Sequence, residues 1–196
     1  LERKMKRKNF DKIVTTVGFG ITVFLFVAAA LLNWGASFAQ DSVKSQLENQ
    51  NISFPAVAGM PAETKDQLAK WAEKPVITGE MAKDYADLYI WEHMKGASVA
   101  ALGKPATYSE VSGMYMGLVR GGSTDKEQIA KLGELRQTLF MGNTLRGMLL
   151  EAYAFGTLGV IASYGAIAAL VGGVIMLILS ISGLIHIRRT PDSATI

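Results

Sequence analysis

Two long apolar blocks frame a polar, helix-patterned middle in this chain. Residues 13–32 run for 20 positions without a charge, and residues 152–185 for 34. A helix needs about 20 apolar residues to cross a bilayer core of about 30 Å, so each block is a candidate membrane span. Between them the pattern turns amphipathic. Residues 40–51 are polar yet helix-compatible and extend the first span, with Phe54-Pro55 and the stretch 56–61 ending it. Residues 62–73 place Leu68, Trp71 and Ala72 on one helical face. Thr78 can cap a helix that sets Met81, Tyr85, Leu88, Trp91 and Met94 at spacings of three and four, the stripe of a core-facing surface. Thr107-Tyr108-Ser109-Glu110 and Thr124-Asp125-Lys126-Glu127 both read as capping boxes, the second opening a helix with Ile129, Leu132, Leu135 and Leu139 apolar. Asn143-Thr144 can cap a final helix, which meets no proline before Pro191. No stretch alternates cleanly enough for a strand.

The expected fold class is therefore an all-α membrane protein, two transmembrane helices flanking an extracytoplasmic helical domain. Its parts are a basic tail at 1–12, a transmembrane helix at 13–33 and the helical domain at 34–151. An interfacial segment and second transmembrane helix follow at 152–185, then a tail at 186–196. Trp34 and Tyr153 are expected as membrane-interface anchors, because amphipathic rings favour the headgroup layer. Gly165, Ala169 and Gly173 stand four apart and form a helix-packing stripe, with the chain's own first span as the expected partner.

Charge sets the orientation. Eight of the 20 basic residues lie in the two tails against three of the 17 acidic ones, which leaves twelve basic and fourteen acidic between the spans. Cations near membrane ends stay inside, so the expected location is the plasma membrane with both termini cytoplasmic and the middle translocated. The first block could instead be a cleaved signal, with Ser37-Phe38-Ala39 as its small-x-small site, but signal cores span only about 7–15 residues. An uncleaved anchor is the better reading, with Met5 able to serve as an initiator downstream of Leu1–Lys4. A nucleic-acid partner would need a basic patch on a folded surface, and none is legible.

Composition narrows the chemistry. Hydrophobic residues make up 49% of the chain and charged ones 19%, against about 25% charged in soluble domains. There is no cysteine, which removes disulfides, thiolate metal sites and thiol nucleophiles. The two histidines, His93 and His186, are separated by the second apolar block. His93 has Asp66, Asp84, Asp87 and Glu92 within conceivable reach, a set that could bind a divalent metal; the plainer reading is a solvated histidine. His186 beside Arg188 and Arg189 suits a lipid headgroup contact. Residues 117–122 carry glycines without the lysine of a phosphate loop and read as a helix end and turn. Asn51-Ile52-Ser53 matches a glycosylation acceptor, a pattern common by chance, and Met114-Tyr115-Met116 could face either a core or a partner. Neither apolar block contains Asp, Glu, Lys or Arg, which argues against a transporter or proton relay. No cofactor, metal or catalytic residue is expected.

Several strings resemble a known family. They are Tyr85-Ala86-Asp87 with His93 following, Thr107-Tyr108-Ser109-Glu110-Val111-Ser112, Gln137-Thr138-Leu139-Phe140, and the run from Thr144-Leu145-Arg146-Gly147 to Tyr153-Ala154-Phe155. With the two flanking spans, they resemble small actinobacterial two-transmembrane-helix proteins often labelled "aromatic ring-opening dioxygenase, LigA". An extradiol-type iron site needs two histidines and a carboxylate on one face, which this chain cannot assemble with one histidine on each side of the membrane. The resemblance implies instead an accessory subunit of the respiratory supercomplex that joins a cytochrome bcc complex to an aa-type oxidase. Expected partners are then membrane lipids and integral subunits of those two complexes. The alternative is a stand-alone envelope module holding a lipid or small ligand in its outer domain.

Overall fold

The computed structural model describes residues 5–195. Leu1–Lys4 and Ile196, and with them parts of both expected tails and the segment upstream of Met5, lie outside the described residues. The described chain is helical, and its only β-pairings are two isolated bridges, Lys6 with Thr195 and Ser53 with Pro75. Six α-helices follow in order: α1 (Arg7–Gln50), α2 (Lys65–Leu68), α3 (Gly79–Asp84), α4 (Trp91–Leu102), α5 (Tyr108–Arg120) and α6 (Lys126–Arg189). Two of them, α1 and α6, are long and apolar enough to cross a membrane.

The chain divides into two compact units, Leu1–Ala39 with Leu158–Ile196, and Gln40–Thr157. The sequence suggests divisions at 33/34 and 151/152, but α1 and α6 run through these positions without a break that could mark them.

In the first unit α1 and α6 pack antiparallel, since the residues of α6 that meet α1 fall in number as those of α1 rise. Thr15 faces Gly183, Ser180 faces Gly18, Phe26 faces Gly173 and Leu32 faces Gly165. In each pair a glycine on one helix receives a larger side chain from the other, which lets the backbones approach closely.

The second unit holds two hydrophobic clusters. The first gathers Val43 and Leu47 of α1, Phe54, Leu68, Met81 of α3 and Leu149 of α6. The second gathers Met94 of α4, Val111 of α5 and Leu132, Leu135 and Leu139 of α6. Thr78 caps α3 by accepting from the Met81 N–H at 3.2 Å. Thr107 and Glu110 form the full capping box of α5, the Glu110 Oε2 accepting from the Thr107 N–H at 2.7 Å.

Four expectations need correction. The cap of α6 is Asp125, not Thr124: its Oδ1 accepts from the Gln128 N–H at 2.9 Å, and a carboxylate is the stronger acceptor for exposed N-terminal amides. Asn143-Thr144 caps nothing, because α6 is one 64-residue helix in which Thr144 Oγ1 donates to the Phe140 carbonyl at 2.9 Å. Glycines inside it are kept by close neighbours; a β-carbon on Gly142 would stand 2.5 Å from the Met94 sulfur. Helix α1 stops at Gln50, ahead of Phe54-Pro55, because Asn51 takes a left-handed φ of 51° that asparagine tolerates. Residues 62–73 form only the four residues of α2 and one 3-10 turn, although Leu68 is fully buried as its pattern requires.

Candidate interaction surface

Gly79 to Leu102 is one helical run whose middle, Tyr85–Ile90, has π geometry. The wider turn matters for phase. Met81 ahead of it packs in the first cluster and Met94 beyond it in the second, while Trp91 is turned out and 38% exposed. A regular helix would have kept all five stripe residues on one face.

The π segment is held by side chains from elsewhere in the same unit. Thr64 Oγ1 donates to the Leu88 carbonyl at 2.6 Å. Arg146 of α6 donates through Nε to the Ala86 carbonyl at 3.1 Å and pairs with Asp87 at 2.9 Å. Its guanidinium also lies 4.6 Å from the Trp91 ring centre, a cation–π contact. Sequence reading missed Arg146 as a structural centre; a single cation in an otherwise apolar stretch of α6 was the available signal.

Next to this lies an aromatic chain. Tyr85 meets Phe54 edge-on at 5.2 Å and Tyr89 at 4.8 Å, and Tyr89 meets His93 at 4.3 Å. Burial pushes the Tyr85 hydroxyl above its ordinary range, with the neighbouring Tyr89 adding to the shift. His93 itself is exposed and its Nδ1 sits 2.9 Å from the Tyr89 carbonyl. Asp84, one of its expected companions, is engaged by the Trp71 indole N–H at 2.8 Å and by Lys70 at 3.0 Å. Asp87 is taken by Arg146, and Glu92 by Lys95 at 2.7 Å. No group of three potential metal ligands occurs among the described residues.

The expected packing residues fall as follows. Gly173 is buried under the Phe26 ring, with carbons 2.9 Å from where its β-carbon would be, and Gly165 lies under Leu32 at 3.3 Å. Ala169 is half-buried between them, while Ala166 is buried more deeply. Trp34 is 69% exposed and stacks on Phe38 at 6.0 Å. Tyr153 belongs to the helical unit, with its backbone against Gly79 and its ring 5.9 Å from the Lys83 ammonium.

Both units leave large apolar side chains uncovered. On the first unit Phe24, Leu31, Ile161, Ile167, Ile178 and Leu179 are all more than half exposed. On the helical unit, Met141, Leu145 and Met148 stand at spacings of four and three along α6 and are 53%, 47% and 61% exposed. Single exposed apolar residues are ordinary, but these three stand in a row on one helical face. A separate cavity of about 410 Å³ opens between α4, α5 and the start of α6, lined by Leu102, Met114, Gly117, Leu118, Lys131 and Leu132 among others. No protein-family model, curated protein or solved structure matches the chain.

Proposed function

We propose that this chain is a non-catalytic accessory or assembly subunit of a bacterial membrane complex. The paired helices lie in the plasma membrane, both ends of the chain are cytoplasmic and the helical unit is outside. The positive-inside distribution of Lys and Arg supports that orientation. The observation that carries the reading is the Met141, Leu145, Met148 row, an apolar helix face left open on the Gln40–Thr157 unit. Methionine side chains adapt to a partner's contour at low cost. A membrane-anchored partner subunit suits this row because the same helix is also a membrane candidate, so binding needs no further anchor. The respiratory bcc–aa-type oxidase assembly is the first partner to test, on the resemblance of the motifs named above.

The test is a tag on the full chain, gentle detergent extraction, and identification of co-purifying subunits with haem absorbance as the readout. Met141→Glu with Met148→Glu should abolish co-purification while the chain still inserts and folds. Deletion of the chain should weaken recovery of the complex and leave its turnover per haem intact. Unchanged recovery in both experiments sinks the reading. Protease added to intact cells should cut the helical unit and spare the termini.

The second reading, a stand-alone module that holds a lipid or small ligand, is favoured by the cavity beside Met114, whose volume is in the range of ligand sites. It predicts a monodisperse chain that retains an extractable ligand, and loses it when Gly117→Leu fills the open space beside that glycine.

A further inference from the structure

The start of α1, the end of α6 and the segment after it border an open cleft of about 300 Å³ in the first unit, lined by Arg7, His186, Arg189, Thr190, Pro191 and Ala194. The segment after α6 is strapped across the start of α1. The Arg7 N–H donates to the Ala194 carbonyl at 3.0 Å, and Lys8 pairs with Asp192 at 2.7 Å. This pairing spends the Asp192 charge; the hydrogen bond from Lys8 holds that carboxyl below its ordinary range. The other acid facing the site, Asp11, lies 3.7 Å from His186 Nε2 and 3.9 Å from Arg7 Nε. It offsets part of one cation's charge. The Arg189 side chain makes no ion pair or hydrogen bond among the described residues. Across residues 5–12 and 186–195 there are six Lys and Arg against two Asp, so the cleft sits in a net positive field.

We infer that this cleft binds the phosphodiester headgroup of an anionic phospholipid, with Arg7 and Arg189 as its cationic ligands and the 190–194 strap as its wall. Chemistry and position both select a lipid. Basic pockets at the ends of paired membrane helices suit anionic headgroups. The charge-free runs of α1 and α6 begin one to two turns away, with Ile13 58% and Ile185 47% exposed, so apolar surface for acyl chains continues from the charged end. Pro191 and Ala194 add a partly apolar wall that a free, fully hydrated phosphate would not use. The inference rests on insertion of the two helices in a bilayer and does not depend on any protein partner.

The experiment uses the full chain in nanodiscs of phosphatidylcholine with one quarter phosphatidylglycerol, then native mass spectrometry of lipid retained after detergent transfer. Selective retention of phosphatidylglycerol is expected, weakened about fivefold for each cation removed in Arg7→Gln and Arg189→Gln. Arg188→Gln, outside the cleft lining, should change retention least, and Lys8→Gln should weaken it by releasing the strap. Equal retention of both lipids, or full retention in the double variant, overturns the inference. Displacement of phosphatidylglycerol by excess inorganic phosphate would make the site a free-anion site and also overturn it. Release of the chain from membranes by alkaline carbonate would overturn membrane insertion itself, which separates that failure from failure of the site.

Discussion

A β-carbon on Gly183 would stand 3.6 Å from the Thr15 Cβ, and one on Gly18 would stand 3.6 Å from the Ser180 Cβ. These two pairs occupy neighbouring levels of the α1–α6 contact, with the glycine on opposite helices. Each helix thus presents both a hydroxyl residue and a glycine to its partner. A gap at one level is filled by a bulge at the same level, and the register follows.

That geometry can be tested by cross-linking. The separations lie inside the range of about 3.5–4.5 Å between β-carbons in disulfides, and the chain has no cysteine to compete. Thr15→Cys with Gly183→Cys, and Gly18→Cys with Ser180→Cys, should each oxidise to an intrachain bridge, read as a non-reducing gel shift. Gly20→Cys with Ser180→Cys is the control, since nothing lies within 4 Å of a β-carbon on Gly20. Efficient bridging of the control at the same rate would contradict the register.

Arg146→Met should loosen the π segment. It leaves the Ala86 carbonyl with the Trp91 N–H alone and strands part of the Asp87 charge, which Lys83 at 3.5 Å only partly answers. A lost partner at a part-buried polar group costs about 1–3 kcal/mol. Amide exchange measured by mass spectrometry should accelerate across residues 85–91 and stay unchanged in α5. Uniform exchange in variant and parent would show that Arg146 does not hold the turn.

The start of α5 should be sensitive to acid. The Thr107 N–H, and then its hydroxyl, hydrogen-bond the Glu110 carboxylate and hold it below its ordinary range. A depressed folded value means the stabilisation is complete above the ordinary carboxylate range and is lost as pH falls through the depressed one. Glu110→Gln should therefore flatten the acid limb of helix content followed by circular dichroism. At neutral pH Thr107→Ala should cost about 1 kcal/mol.

Two methyl-rich positions separate core from surface. Leu68 is fully buried in the first cluster, so Leu68→Ala should cost about 2–5 kcal/mol in denaturant unfolding of the detergent-solubilised chain. Met148 is 61% exposed, so Met148→Ala should change stability by no more than about 0.5 kcal/mol. A large loss from the second would make Met148 a core residue rather than part of an open face.

The local signals in the sequence translated well where chemistry acts over a few residues. The Thr78 cap and the Thr107–Glu110 box form because side chain and amide are three positions apart and nothing competes. The long apolar blocks became α1 and α6 for an equally simple reason, since neither contains a proline. Failures came where distant partners decide. Asn143 and Thr144 have the chemistry of a cap, but leucines on both sides of them bury in the two clusters and carry the helix through. Arg146 stands out on α6 only as a lone cation in an apolar stretch; what it does depends on Ala86 and Asp87 arriving opposite it. The open row of Met141, Leu145 and Met148 was visible as apolar letters, yet which face of α6 would be covered depended on where α4 and α5 pack.

The extra width of the turn at Tyr85–Ile90 acts as a phase shifter between two oil drops that need different facings from a single rod. Winding the same residues as an ordinary helix would rotate everything downstream by roughly one residue's arc, about 100° on a 3.6-residue turn. Met94 would swing away from Leu135 and Leu139, and Gly142 would lose the sulfur it is shaped to receive. Removing one residue inside Tyr85–Ile90 takes away the extra width and the extra residue together and should be tolerated, whereas removing one between Trp91 and Met94, where the winding is already regular, should not.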